Sequence, residues 1–182
     1  VNPLSAILSV SAYVFYAGIY SPILKRKTVH NTVLGGIAGA MPALIGWTAI
    51  SNQITIEGIA LFIIVFCWQP PHFWALALGL YEDYESADIP MAPNVVGTEY
   101  TKRQIVVWSL LTVASTIAFF FLASMGLIFI IVAMTTGLRF IYVSIQVAKG
   151  EHLEHTQTLW RYSTIYLSML FGAMIIDEIY KF

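Results

Sequence analysis

Apolar residues in this sequence gather into six long blocks, at 4–20, 32–50, 56–80, 105–122, 127–147 and 159–176. Each is close to the roughly 20 residues an α-helix needs to cross the ~30 Å hydrocarbon core of a bilayer. A helix satisfies its own backbone polar groups within hydrocarbon, so each block is predicted to be a membrane-spanning helix. The connections alternate in character. Those at 51–55 and 123–126 are tight, as between antiparallel neighbours, whereas 21–31, 81–104 and 148–158 are longer and polar. The pattern predicts an all-α, polytopic transmembrane helical bundle, with residues 1–182 forming one domain.

Composition strengthens this reading. Of 182 residues, 58% are hydrophobic and 10% are charged, against about 25% charged in soluble domains. Lys25, Arg26, Lys27, Lys102, Arg103 and Lys149 all fall in the longer connections, and neither tight turn contains a Lys or Arg. With alternating spans, these cations share one side, which the positive-inside rule makes cytoplasmic, or matrix in a mitochondrion. Glu82, Asp83, Glu85, Asp88, Glu99, Glu151 and Glu154 fall on the same side. A net charge of −1 with no basic tract excludes a nucleic-acid-binding arm. The lone Cys67 excludes an internal disulfide and a multi-cysteine metal site. The chain opens on Val1 without a basic stretch before its first apolar block, and it is expected to be part of a longer protein.

Four constellations carry candidate chemistry. In Tyr20-Ser-Pro-Ile-Leu-Lys25-Arg26-Lys27, three cations end a span. They suit an anion such as a diphosphate, though taken alone such a run more often serves as a positive-inside anchor. After Asn31, the small residues Gly35, Gly39, Ala43 and Gly46 form one stripe, with Pro42 predicting a kink. The stripe serves either close helix packing or a cleared wall for a bulky apolar ligand.

The third constellation is Cys67-Trp68-Gln69-Pro70-Pro71-His72-Phe73-Trp74. Its prolines remove backbone donors. His72 either bonds a freed carbonyl or serves a function at this depth. If the helix continues, Asp83 lies about four turns beyond Gln69, within about 40° of its direction. The fourth, Tyr81-Glu82-Asp83-Tyr84-Glu85-Ser86-Ala87-Asp88, packs four carboxylates into seven residues. Such a run either stays solvated or ligates Mg²⁺, which prefers oxygen and bridges to phosphates. Arg139, inside the fifth block, is expected to snorkel or pair within the bundle, and His152 and His155 to lie at the surface.

Taken in order, Tyr20-Ser-x-x-Leu-Lys25-Arg26, Asn31-x-x-x-Gly35-x-x-x-Gly39-Ala-x-Pro42-x-x-x-Gly46, Trp68-Gln69-x-Pro71-His72 and Asp83-Tyr84-x-x-Ala-x-Ile-Pro90-Met91 resemble the heme O synthases (protoheme IX farnesyltransferases). These belong to the UbiA-type intramembrane prenyltransferase superfamily. The resemblance covers nearly the whole chain and is strongest over residues 2–104. It implies a nine-helix bundle, of which about six spans are here, and a pair of acidic motifs that bind Mg²⁺–diphosphate. On matching positions, Asp83 with Glu82 is the implied metal-linked pair, and Lys25 and Arg26 face the diphosphate. Tyr20 and His72 are implied at the catalytic centre, and Asn31, Gln69 and His72 among the ligand-binding groups. Three departures stand out. The earlier Asn-x-x-x-Asp-x-x-x-Asp motif is absent, Asp88 replaces a more usual Gly or Asn, and the basic pair before the last span is thinned to Thr158, with Arg161 three residues on.

The resemblance implies transfer of a farnesyl group from farnesyl diphosphate to a vinyl group of heme B, with water addition, giving heme O. It implies Mg²⁺ as the cofactor and a heme A synthase or oxidase assembly protein as recipient. The membrane would be the bacterial inner membrane, with the mitochondrial inner membrane as the alternative. The chain alone is expected to be inactive for want of the first acidic motif. Two competing expectations are a sibling prenyltransferase with another aromatic acceptor and a non-enzymatic transporter, since broken helices also mark transporter sites. Polar chemistry gathered at one interface favours the enzyme.

Overall fold

The computed structural model describes residues 1–150 and 153–180, without the side chains of 153 and 154. Glu151, His152 and the Glu154 carboxylate therefore lie outside the described residues. Among the described residues, six helices are long and apolar enough to cross a membrane, as the hydrophobic blocks predict. Spans one to six run Pro3–Lys27, Asn31–Ser51, Ile56–Gly79, Thr98–Leu122, Leu127–Lys149 and Leu153–Ile179. The chain is an all-helical integral membrane bundle.

Spans three, four, five and six close into a four-helix ring, each packing on the next and six on three. Tyr166, Phe129, Phe140, Ile64, Ile105 and Leu159 fill its centre. Hydrogen bonds between Ser109 and Ser144 and between Thr116 and Tyr166, both 2.7 Å, join its helices, a role polar side chains take where lipid supplies no hydrophobic drive. Span two packs on the outside of span three, and span one on span two. Exposed Ile, Leu and Val side chains on the outer faces suit contact with lipid.

Several boundaries differ from the sequence expectation. Span four begins at Thr98 rather than 105, and span six at Leu153 rather than 159. Polar residues are good helix formers outside hydrocarbon, and Glu99 pairs with Lys102 at 2.9 Å one turn on. The connection expected at 81–104 contains the short helices Tyr81–Ser86 and Ala92–Val95. Span three runs through Pro70 and Pro71 but turns at Leu80 (φ −116°, ψ 33°). The single helical register assumed between Gln69 and Asp83 is therefore broken.

The first span departs most. Its helix continues to Lys27, and Phe15–Leu24 is wound as a π-helix, with Lys25 N–H donating five residues back to Tyr20. Pro22 lies within it. A proline ring clashes with the carbonyl four residues back in an α-helix, and the wider winding moves that carbonyl away.

Candidate functional site

The longer connections meet at one end of the bundle. Asn31 is 1% exposed, and its Nδ2 donates to the carbonyls of Lys25 (3.3 Å) and Pro90 (3.0 Å). Lys102 Nζ donates to the Gly150 carbonyl at 3.0 Å, drawing in the last of these connections. The other end is built from groups with a capping role. Asn2 Nδ2 donates to the Thr48 carbonyl, and buried Asp177 accepts from the N–H groups of Gly126, Ile128 and Phe129.

A cavity of about 520 Å³ opens beside the cation-bearing end, between spans one, two and three. Tyr13, Tyr16 and Tyr20 form its span-one wall, Phe73 and Gln69 its span-three wall, and Lys25 and Tyr84 stand among its polar lining. Tyr16 and Tyr20 stack at 5.6 Å. The glycine stripe shapes the space in both of the ways weighed above. A Cβ at Gly35 would meet the Tyr20 ring at 2.5 Å, and one at Gly39 would occupy the place of Gln69 Oε1. Both glycines also line the cavity. Gly46 has nothing within 4 Å. Gln69 is anchored by its Nε2, which donates to the Gly36 carbonyl at 2.9 Å.

Of the residues singled out from sequence, the cavity brings together Tyr20, Lys25, Asn31 and Gln69. Arg26 is exposed on the turn after Lys25. Glu82 and Asp83 are exposed in the first turn of Tyr81–Ser86, beside the cavity-lining Tyr84. His72 faces elsewhere. Its Nδ1 lies 2.7 Å from Ser163 Oγ of span six, and its ring stacks on Trp68 at 4.4 Å. Arg139 sits over the Tyr162 ring at 5.0 Å, a pairing within the bundle. Tyr84 and Met91 entered the sequence reading only as members of motifs, without a role, and Tyr13 and Tyr16 were not singled out. The three- and four-residue spacing of Tyr13, Tyr16 and Tyr20 was the signal available for two of them.

The donor set suits a hard divalent cation. Glu82 and Asp83 offer hard carboxylate oxygens and take part in no salt bridge among the described residues. No group of three or more His, Cys, Asp or Glu gathers to hold an ion among those residues. Mg²⁺ needs no such cage, since it takes one or two carboxylates and completes its shell with water and phosphate oxygens. These residues fit an ion that arrives with a diphosphate.

The fold and site together define a polytopic membrane bundle with an aromatic cavity beside a face of cations and carboxylates. Residues 1–170 match the sequence profile of the UbiA prenyltransferase family, and the chain belongs to that family. It is 40% identical over 178 residues to a protoheme IX farnesyltransferase from Bordetella avium, covering 98% of this chain and 60% of that protein. A protoheme IX farnesyltransferase from Neorickettsia sennetsu is 45% identical over 177 residues, covering 97% and 58%. One from Marinobacter nauticus is 40% identical over 178 residues, covering 98% and 59%. The chain thus spans about 60% of the length of these relatives. A solved structure concerned with digeranylgeranylglyceryl phosphate synthase in membranes shares the fold, at TM-score 0.81 and 16% identity over 98% of this chain and 62% of that one.

Proposed function

We propose that the full-length protein transfers a farnesyl group from farnesyl diphosphate to a vinyl group of heme B, with addition of water, giving heme O and diphosphate. The observation that carries the reading is the cavity itself. It has an apolar, aromatic body for an isoprenoid chain and Lys25 in its lining for the diphosphate. The names of the relatives above supply the acceptor.

Breaking the allylic C–O bond leaves negative charge on diphosphate and positive charge on the allyl group. The Lys25 ammonium, with Arg26 on the same turn, binds the leaving group and stabilises its developing charge. Glu82 and Asp83 are the residues that would hold Mg²⁺, which when bound neutralises charge on the diphosphate oxygens. The rings of Tyr16, Tyr20 and Phe73 line the cavity that takes the allylic cation, where aromatic groups stabilise it and keep water from it until the vinyl group has attacked. Water then captures the porphyrin-stabilised cation as the hydroxyethyl group, releasing a proton. Asn31 braces this end of the bundle through backbone carbonyls.

By the positive-inside rule this end faces the cytoplasm, and the bacterial relatives favour the inner membrane. The recipient of the product would be a heme A synthase or an oxidase assembly protein. Membranes containing the full-length protein, heme B, farnesyl diphosphate and Mg²⁺ are expected to yield heme O by mass spectrometry, and EDTA to abolish it. Asp83→Ala should stop turnover with the protein still inserted. Absence of product from inserted, intact protein would refute the reading.

A further inference from the structure

One cluster of chemistry lies outside the cavity and has no part in the steps above. His72, on the side of span three that meets span six, places Nδ1 2.7 Å from Ser163 Oγ. That hydroxyl has a single proton, which it donates to the Trp160 carbonyl at 2.7 Å. With the Ser163 proton assigned to Trp160, Nδ1–H is the donor to Ser163 Oγ and Nε2 carries the lone pair. Flat rings surround the imidazole: Trp68 stacks on it at 4.4 Å, Phe73 meets it edge-on at 5.1 Å, and Trp160 is 6.1 Å away. Trp68 is itself fixed by Nε1 donating to the Ser163 carbonyl at 2.7 Å.

Trp160 also walls a second cavity, of about 220 Å³, with Leu76 and Gly79 of span three opposite Gln157 and Arg161 of span six. Trp160 links the two, since its ring is 6.1 Å from the imidazole and also lines this cavity, and both lie on the seam between spans three and six. The seam is apolar and aromatic beside His72 and cationic toward the end that carries the longer connections.

We propose that this seam seats the iron porphyrin acceptor, with His72 Nε2 ligating its iron and Arg161 and Gln157 binding its carboxylates. The inference rests on the heme reading above and adds where that substrate sits. A ligating histidine donates its other ring N–H to a fixed oxygen that sets tautomer and ring orientation, and Ser163 does so here. Trp68 and Trp160 lie within 21° and 30° of the imidazole plane, so they hold that ring upright and present their edges to a macrocycle ligated by it, and a guanidinium at the polar end matches carboxylates in charge and shape. Phe73 connects the two sites, since its ring touches His72 and also lines the larger cavity. The rim of a porphyrin held by His72 thus lies beside the cavity that takes the isoprenoid.

The test reads ligation rather than turnover. Full-length protein in nanodiscs is titrated with heme B without farnesyl diphosphate and followed by absorption and electron paramagnetic resonance. The parent should give a histidine-ligated spectrum. His72→Ala should lose it, with added imidazole restoring it, and His72→Gln should lose it while keeping the Ser163 hydrogen bond and hence the fold. Ser163→Ala should retain ligation with affinity lowered about 10-fold or more. Arg161→Ala should weaken binding of heme B but not of its dimethyl ester, which lacks the carboxylate charges. An unchanged spectrum and affinity in His72→Ala and His72→Gln, in a protein that still makes heme O, would overturn the proposal and leave the heme reading standing. A parent that neither binds nor converts heme B would overturn both.

Discussion

Asn31 Nδ2 donates to the carbonyl of Pro90 at 3.0 Å, joining the start of span two to a loop 59 residues further along the chain. The same amide reaches the carbonyl of Lys25, so one buried side chain holds the cationic end of span one against the loop that follows the carboxylates. Asn31→Ala should leave both carbonyls short of a donor at a cost of about 1–3 kcal/mol. The expected result is a lower thermal midpoint and weaker binding of farnesyl diphosphate in the full-length protein. Unchanged values for both would show that the brace is not needed.

The glycines of span two are not equivalent. Gly39→Ala places a methyl group where Gln69 Oε1 sits, whereas Gly46→Ala meets open space. Forcing atoms into an occupied site costs about 1–3 kcal/mol, and a helical Gly→Ala change without a clash gains up to about 1 kcal/mol. Thermal unfolding in one detergent should therefore move down for Gly39→Ala and stay level or move up for Gly46→Ala. The reverse order would contradict the packing described.

Asp177 caps span five from a distance. Its carboxylate, 4% exposed, accepts from Gly126, Ile128 and Phe129, whose N–H groups would otherwise lack helical partners. Asp177→Ala should lower stability by about 1–3 kcal/mol and leave turnover per folded molecule unchanged, because the candidate site is at the opposite end. Lost activity in a protein of normal stability would place Asp177 in the chemistry instead.

Orientation is checked by one cysteine. Lys27→Cys, in a background where Cys67 is replaced by Ser, should react with a membrane-impermeant maleimide added from the cytoplasmic side and not from outside. Labelling from outside would invert the bundle and its site.

The six spans were legible because a run of apolar residues has one low-energy form in hydrocarbon. Their polar extensions were not, since Thr98–Gln104 carries no hydrophobic signal and its helix rests on propensity and the Glu99–Lys102 pair. The π-helical winding around Pro22 was invisible for a related reason, because a proline announces a distortion without its form. Lys25, Tyr20 and Asn31 could be picked out by residue type beside the membrane boundary, and Gln69 as a polar residue within span three. Their assembly around one cavity depended on contacts across the chain. The position of His72 depended on Ser163, 91 residues away, and no local pattern in span three marks that partner.

The most direct measurement is an acceptor competition. Membranes containing the full-length protein receive farnesyl diphosphate, Mg²⁺, heme B and an aromatic acid acceptor together, and every farnesylated product is identified by mass spectrometry. Heme O as the farnesylated product, with oxygen from isotopically labelled water in its hydroxyethyl group, is the predicted result. Farnesylation of the aromatic acid with heme B unchanged would contradict the account.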